Sequence, residues 1–353
     1  MTACPCGAGA LRATGCGAFR WWGVAGCVAC AACGGWVGGI GAPVVAERTN
    51  LYERRRSQLS AFPMPTILIT GASGYLGQHL LANLAENAAY VLVAAYGSLD
   101  TFVEDFGGRA TCRSVDLANA ADVAALLFDV QPDCVVHLAA ISSPAACERD
   151  PDASRAVNEC AALIESLPAS ASFIFLSTDQ VYDGVSAPNV EGSPAEPVNV
   201  YGQSKLAFEK ALQAALPSRS ACLRSSLILG PPTPGRCKKQ SFLQFCDERL
   251  ASATPTDFFS DEWRSVVAVE DIVATLRWFI DGGAHRAPGI YNMGGPDRVN
   301  RVDVALSVAR ARGYSEHCVN AVARSAVVSG GPRSPPVRRC ARRTPVWPPP
   351  VKC

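Results

Sequence analysis

The sequence lacks an excess of charge of either sign, with 32 Lys and Arg against 31 Asp and Glu. The chain as a whole therefore carries no electrostatic footprint for nucleic acid. Acids are absent from both ends, with none before Glu47 and none after Glu316. The run Cys27-x-x-Cys30-x-x-Cys33 has no His pair and no second Cys pair at zinc spacing, so no metal is expected. Cysteine itself is plentiful, at 16 residues, but a pairing framework is missing. Cys112, Cys134, Cys147, Cys160, Cys222, Cys237 and Cys246 are scattered singly, several in apolar strands where Cys acts as a small hydrophobe. That pattern fits a reducing compartment such as the cytoplasm. A good membrane span is lacking too. Trp21 to Val45 is uncharged and long enough, but rich in Gly and poor in Leu, Ile and Phe, so a membrane role is not expected.

The 353 residues allow two or three units. Residues 1–63 show no helical or strand period and read as an extension. An organelle-targeting segment, an anchor, or sequence outside the working protein all fit it, and none adds chemistry. Residues 313–353 are rich in Pro and Arg, most of all from Ser325, and read as a disordered tail. The body is 64–312.

That body is organised around Thr66-Ile67-Leu68-Ile69-Thr70-Gly71-Ala72-Ser73-Gly74-Tyr75-Leu76-Gly77. A β-branched apolar run stops at Gly71, and an amphipathic helix is expected from Tyr75 to Asn87, with Leu76, Leu80, Leu81 and Leu84 on one face. Strand, glycine turn and helix is the layout in which backbone N–H groups and a helix N-terminus hold a pyrophosphate. Gly71 lets the chain turn, Gly74 lets it approach phosphate, and Gly77 lets the helix press on the strand.

Further strands are expected at Tyr90–Ala95, Thr111–Val115, Asp133–Ala140 and Ser172–Asp179, with helical spacing at Asp122–Val130 and a long helix at Pro151–Leu167. An acid at the end of the second strand would hold the ribose of NAD, and an Arg nearby would take the phosphate of NADP. Asp100 lies four residues past Tyr96, and the first Arg is Arg109. The missing acid tilts the choice slightly to NADP. His137 lies inside an apolar run and reads first as a strand-borne histidine, second as a base.

The strand ending Ser177-Thr178-Asp179 breaks from apolar residues into hydroxyls and a carboxylate, and in an open parallel sheet chemistry collects at such carboxyl ends. Tyr201 and Lys205 follow at i, i+4 and share one helical face. A phenol titrates near pH 10, and a cation one turn away would lower that and make it a proton donor or acceptor.

Gly71-x-x-Gly74-x-x-Gly77, Asp116-Leu117, Leu138-Ala139-Ala140, Ser177-Thr178-Asp179-Gln180-Val181-Tyr182-Asp183-Gly184 and Tyr201-x-x-x-Lys205 together resemble the extended short-chain dehydrogenase/reductase family. Within it the chain looks most like the dTDP-4-dehydrorhamnose reductase branch. The resemblance implies a doubly wound parallel α/β (Rossmann) sheet with a small C-terminal substrate-binding lobe, mostly 230–312. It implies catalysis by Thr178, Tyr201 and Lys205, and NADP or NAD held by Gly71, Ser73, Gly74, Tyr75, Leu76, Gly77, Asp116, Leu117, Leu138, Ala139, Ala140, Tyr201 and Lys205. Thr178, Asp179 and Arg264 would meet the substrate, a nucleotide sugar, with Arg264 divided between a phosphate contact and a surface salt bridge. Asn158 would either position the lysine through water or lie on the helix surface. Asp271 would cap the helix after Arg264. A homodimer is compatible with this reading.

Two sister activities fit less well. Nucleotide-sugar dehydratases usually carry Glu after the active-site Thr-Asp, where this chain has Gln180, and epimerases usually keep the acid at the second strand end. A regulatory β subunit of methionine adenosyltransferase resembles the same branch and would bind NADP and a partner protein without turnover.

Overall fold

The computed structural model describes residues 64–86, 89–97 and 101–324. Contacts divide the chain into Met1–Phe62 and Pro63–Cys353, and the described residues belong to the second unit. The Trp21–Val45 run, Cys27 to Cys33, Ser98 to Asp100 and residues 325–353 lie outside them. Among the described residues no helix is long and apolar enough to cross a membrane.

Strand and helix alternate through the first part of the body: β1 (Thr66–Thr70), α1 (Tyr75–Ala85), β2 (Val91–Tyr96), α2 (Phe102–Phe106), β3 (Thr111–Ser114), α3 (Ala120–Val130) and β4 (Cys134–His137). Then come α4 (Pro144–Arg149), α5 (Pro151–Asn158), α6 (Ala162–Glu165), β5 (Ser172–Thr178), α7 (Val200–Ala215) and β6 (Ser220–Ser225). With β11 (Gly289–Met293) these strands form one seven-stranded sheet in the order β11-β6-β5-β4-β1-β2-β3. Every neighbouring pair is parallel. Parallel strands need crossover connections that cover both faces, which explains the unbroken apolar runs. Strand alternation then sorts side chains to two cores. Ile67 and Ile69 pack with Leu80, Leu84, Ile272 and Leu276, while Leu68 joins Val135, Phe173, Phe175, Leu163 and Phe208 on the other face. The order reverses between β1 and β4. Their carboxyl ends therefore diverge into a crevice.

The smaller lobe is stitched from short pairs. β7 (Ile228–Leu229) pairs with β10 (Val267–Ala268), and β9 (Trp263–Arg264) pairs antiparallel with β12 (Val299–Asn300). β8 (Thr256–Phe259) pairs parallel with β13 (Val319–Val322). Two helices, α8 (Phe242–Ala251) and α10 (Arg301–Arg312), each open on a capping box, and α9 (Val269–Trp278) packs back on the main sheet. The lobe's core is Cys246, Leu250, Phe258, Val304, Ala305, Ala309 and Cys318.

Three expectations need correction. The helix from Pro151 to Leu167 is two helices: the chain leaves helical dihedrals at Glu159 (φ −109°, ψ 32°), and Cys160 and Leu163 turn into the core. Asp271 does not cap α9, which starts at Val269 behind Ala268 with no side-chain cap. Burial of Val269 sets the start, and Asp271 sits in the first turn, where a carboxylate favours the helix dipole. The body also does not end at Arg312. Gly313 (φ +72°) closes α10, and the chain returns to bury Cys318 and add β13 to β8.

Candidate active site

Gly71 ends β1 in the left-handed region (φ +69°), and a Cβ there would lie 2.6 Å from the Ala139 nitrogen at the end of β4. The two strand ends meet so closely that only glycine fits. Gly77, in the first turn of α1, is equally constrained, since a Cβ would come within 2.4 Å of the Gly71 carbonyl. No side chain caps α1, whose N-cap is Gly74, so its first N–H groups face the crevice beside Ser73 and Tyr75. An uncapped helix N-terminus of this kind leaves N–H groups that can take a phosphate, and the loop forms a cradle at the sheet edge.

A cleft of about 1380 Å³ runs from this cradle along the carboxyl edge of the sheet into the lobe. Every site residue expected from the sequence lines it: Gly71, Ser73, Gly74, Tyr75, Leu76 and Gly77 at the cradle, Asp116 and Leu117 past β3, and Leu138, Ala139 and Ala140 past β4. Thr178, Asp179, Tyr201, Lys205 and Arg264 line the far part.

The end of β5 and the start of α7 are locked together. Asn199 caps α7 by accepting from the Gly202 N–H at 2.8 Å, and its amide donates to Gln180 Oε1 at 3.0 Å. A Cβ on Gly202 would strike the Gln180 carbonyl at 2.2 Å. This contact sets Tyr201 beside Thr178. Burial raises the phenol above its ordinary value; the Thr178 hydroxyl and Arg264 oppose the rise, while Asp179 and Cys147 add to it. The ammonium of Lys205, one turn further along α7, lies over the Phe175 ring, 4.0 Å from the centroid. Burial lowers Lys205 to about 7, with Glu209 pulling the other way. Asn158 is buried, not on the helix surface. It brackets Ile141 by both amide atoms and donates to Ser204 at 3.0 Å, tying the β4 loop to α7.

Toward the lobe, Arg264 is itself in an ion pair. It donates to Asp179 at 3.2 Å and to Glu262 at 3.1 Å. Burial opposes the charge of Arg264, but Asp179 and Glu262 more than offset it and raise its pKa. Glu262 in turn would be raised by burial, yet Arg301, Arg264 and Arg324 hold it below the usual carboxylate range. The Oδ2 atom of buried Asp179 has no hydrogen-bond partner among the described residues. Glu262 and Arg301 both line the cleft and were not expected from the sequence.

Two more groups escaped notice. Glu209, one turn past Lys205, holds buried Arg224 through both carboxylate oxygens and accepts from Ser177; Arg224 donates to the Tyr182 hydroxyl at 2.9 Å. The spacing Tyr201, Lys205, Glu209 was the available signal. Cys237, Lys238, Lys239 and Gln240 also border the cleft, and only the loop's irregularity marked them. His137 is a core residue: its Nδ1 meets the Thr70 hydroxyl at 2.6 Å, its ring stacks on Phe175, and burial together with the Lys205 charge holds its pKa well below the ordinary value. Buried Cys134 and Cys222 are inert thiols, pushed up to about 12 mainly by burial. Among the described residues no group of three or more His, Cys, Asp or Glu could hold a metal ion.

The RmlD substrate binding domain matches residues 65–337. The chain belongs to that family. The match runs past Arg312, in keeping with the lobe strand β13. Among curated relatives, methionine adenosyltransferase 2 subunit beta of Xenopus laevis is 33% identical over 257 residues, 70% of this chain and 72% of that protein. The corresponding Xenopus tropicalis protein is 34% identical over 148 residues, which span only 42% of its length. Solved structures share the RmlD-like fold. A dTDP-4-dehydrorhamnose reductase from Bacillus anthracis in complex with NADP has a TM-score of 0.61 at 19% identity, covering 80% of this chain and 91% of its own. A Thermus thermophilus UDP-glucose 4-epimerase complexed with NAD reaches 0.64 at 21% identity, covering 78% and 90%.

Proposed function

We infer that this chain is a nicotinamide-dependent reductase of a 4-keto nucleotide sugar. The observation that carries the reading is the Thr178–Tyr201 hydroxyl pair, buried at the carboxyl edge of the sheet in the same cleft as the glycine cradle. The cradle suits a dinucleotide because the uncapped first turn of α1 borders the cleft and the wall beside it is the small Ala139 and Ala140. Gly71 to Gly77 would hold the pyrophosphate, Asp116 and Leu117 would flank the adenine, and Lys205 would hold the nicotinamide ribose. A bound nicotinamide supplies hydride to the ketone carbon.

The remaining work falls to the chain's own groups. Thr178 orients the carbonyl, and Tyr201 gives its proton to the oxygen; a phenol raised by burial keeps that proton at neutral pH. The buried Oδ2 of Asp179 is an acceptor suited to a sugar hydroxyl. Arg264 is neutralised by two carboxylates, so its part is to orient Asp179 as much as to meet phosphate. The test is NADPH and NADH oxidation by the full chain with dTDP-4-dehydro-6-deoxy-L-mannose. Substrate-dependent oxidation should fall by about 10²–10⁴-fold in Tyr201→Phe with dinucleotide binding retained. Absence of turnover on this and related ketosugars would sink the reading.

A second reading rests on the Xenopus laevis match, which covers most of a protein named as a methionine adenosyltransferase subunit. In that case the chain is a dinucleotide-binding partner of such an enzyme. Tyr201→Phe would then leave complex formation unchanged, measured by co-elution with the catalytic subunit.

A further inference from the structure

Residues 231–240 leave the lobe and reach across to the cofactor side. The ends of this loop are joined, because the Gln244 amide in the first turn of α8 donates to the Gly230 carbonyl at 2.9 Å. Inside it, the Gln240 amide donates to the Thr233 hydroxyl at 2.8 Å, which donates in turn to the Gly235 carbonyl at 2.7 Å. Pro231, Pro232 and Pro234 fix three of its φ angles. A loop with joined ends and its own internal bonds is a compact unit. This unit is fastened in two places. On the cradle side, the Tyr75 hydroxyl donates to the Pro231 carbonyl at 2.9 Å. Buried Gln78 donates to the Ser73 carbonyl at 3.0 Å and the Arg236 carbonyl at 2.7 Å, and accepts from the Gly235 N–H at 3.0 Å. The Cys237 thiol reaches the Ser73 carbonyl at 3.6 Å, and Cys237 to Gln240 line the cleft together with Ser73 and Gly74. The second attachment is to α2. Arg236 donates its backbone N–H to Asp105 at 2.8 Å, and its guanidinium pairs with Asp105 at 2.8 Å and Glu104 at 2.7 Å. Neither Arg236 nor either carboxylate is among the residues that line the cleft. The Arg236 side chain is 53% exposed and that of Glu104 70%, so this ionic clasp is the weaker attachment.

We propose that residues 231–240 are a lid on the cofactor cradle, and that the clasp of Arg236 on Asp105 and Glu104 gates exchange of the dinucleotide. The proposal rests on the dinucleotide reading above and adds a control on its entry and release. A pyrophosphate on the cradle lies between Gly74 and the stretch from Cys237 to Gln240, so it passes when the lid lifts. Lifting breaks the clasp whether the cleft is empty or filled. Because the clasp stands outside the cleft, it sets the rate of exchange and not the affinity.

The test is stopped-flow fluorescence on the full chain. NADPH and NADH are each mixed in to give the entry rate, and each is chased by an excess of its oxidised form to give the release rate. Arg236→Met should raise both rates by about five- to tenfold and leave Kd within about threefold of the wild type. Glu104→Gln/Asp105→Asn opens the clasp from the other side, changes charge in the opposite sense, and should do the same. Raising salt from about 0.05 to 0.5 M should speed release from the wild type more than from either variant, since only the wild type has a clasp to screen. Unchanged rates in either variant overturn the proposal. So does faster release with unchanged entry, which would make the clasp a support for bound dinucleotide and not a gate. Either result leaves the dinucleotide reading intact. Failure of the wild-type chain to bind NADPH or NADH overturns both.

Discussion

Lys205 is the residue whose physical state departs furthest from what its neighbours in sequence imply. Tyr201 and Lys205 do share a helical face, but burial governs both. It keeps the proton on the phenol and discourages one on the amine, which sits at about 7 against an ordinary 10.5. A depressed lysine has a definite linkage sign. Between about 7 and 10.5 the unfolded chain binds a proton that the folded chain does not, so stability should rise with pH across that window. Below it, both states are charged and the folded state carries the full cost of a buried ammonium. Replacing the group by a methylene-matched apolar side chain removes this dependence. The stability of Lys205→Met should exceed that of the wild type at pH 6 by on the order of a few kcal/mol, and the difference should vanish by pH 10.5. Denaturant unfolding of both proteins across that range checks it. A constant difference would show that Lys205 keeps its charge in the folded chain.

At the scale of elements, α7 does two jobs along one stripe. Its first turn presents Tyr201 and Lys205 to the cleft, and Glu209, one turn later, clamps Arg224 of β6 beneath. The carboxylate and guanidinium are both buried, so removing one partner strands the other. Arg224→Met should cost about 3–5 kcal/mol, whereas Arg224→Met/Glu209→Leu should recover much of that. A double-mutant cycle by chemical denaturation measures the coupling. Little recovery would mean that Tyr182 and Ser177, which also bond to the pair, matter more than the charges. This helix also marks how far the sequence could be read. The parallel sheet, the glycine turn and the Tyr-Lys pair were legible because each is local, carried by a run of β-branched residues, a three-glycine spacing or an i, i+4 interval. Glu209–Arg224 was not, because its partners are 15 residues apart and joined only when α7 packs on β6. The break at Glu159 was hidden for a similar reason. Its apolar residues keep helical spacing, and the turn exists to satisfy Asn158 across to Ile141 and Ser204. Arg264 was expected on a phosphate or in a surface salt bridge; it is instead buried between Asp179 and Glu262, and Arg301 and Arg324 converge on that same Glu262 from elsewhere in the chain.

The lobe as a whole depends on the stretch after Arg312 that composition assigned to a tail. A strand of four residues carries little periodicity, and β13 finds its partner β8 some sixty residues back, as in the pairing of Ala321 with Phe258. Its return seats Cys318 among Cys246, Leu250, Phe258 and Val304, and brings Arg324 to Glu262 at 3.3 Å. The substrate side of the cleft therefore rests on this strand. Phe242, Phe245 and Arg301 line it from the two helices that the lobe core holds together. The main sheet has its own two cores on its own elements and does not need β13. A chain stopped after Arg312 should thus lose the lobe before the sheet. Relative to a chain stopped after Arg324, it should bind a hydrophobic dye through the exposed lobe core and unfold with a second, earlier thermal transition. It should still protect the backbone amides of β1, β4 and β5 from hydrogen exchange. Loss of that protection along with the lobe would mean that the sheet and the lobe fold as one cooperative unit, with β13 closing both.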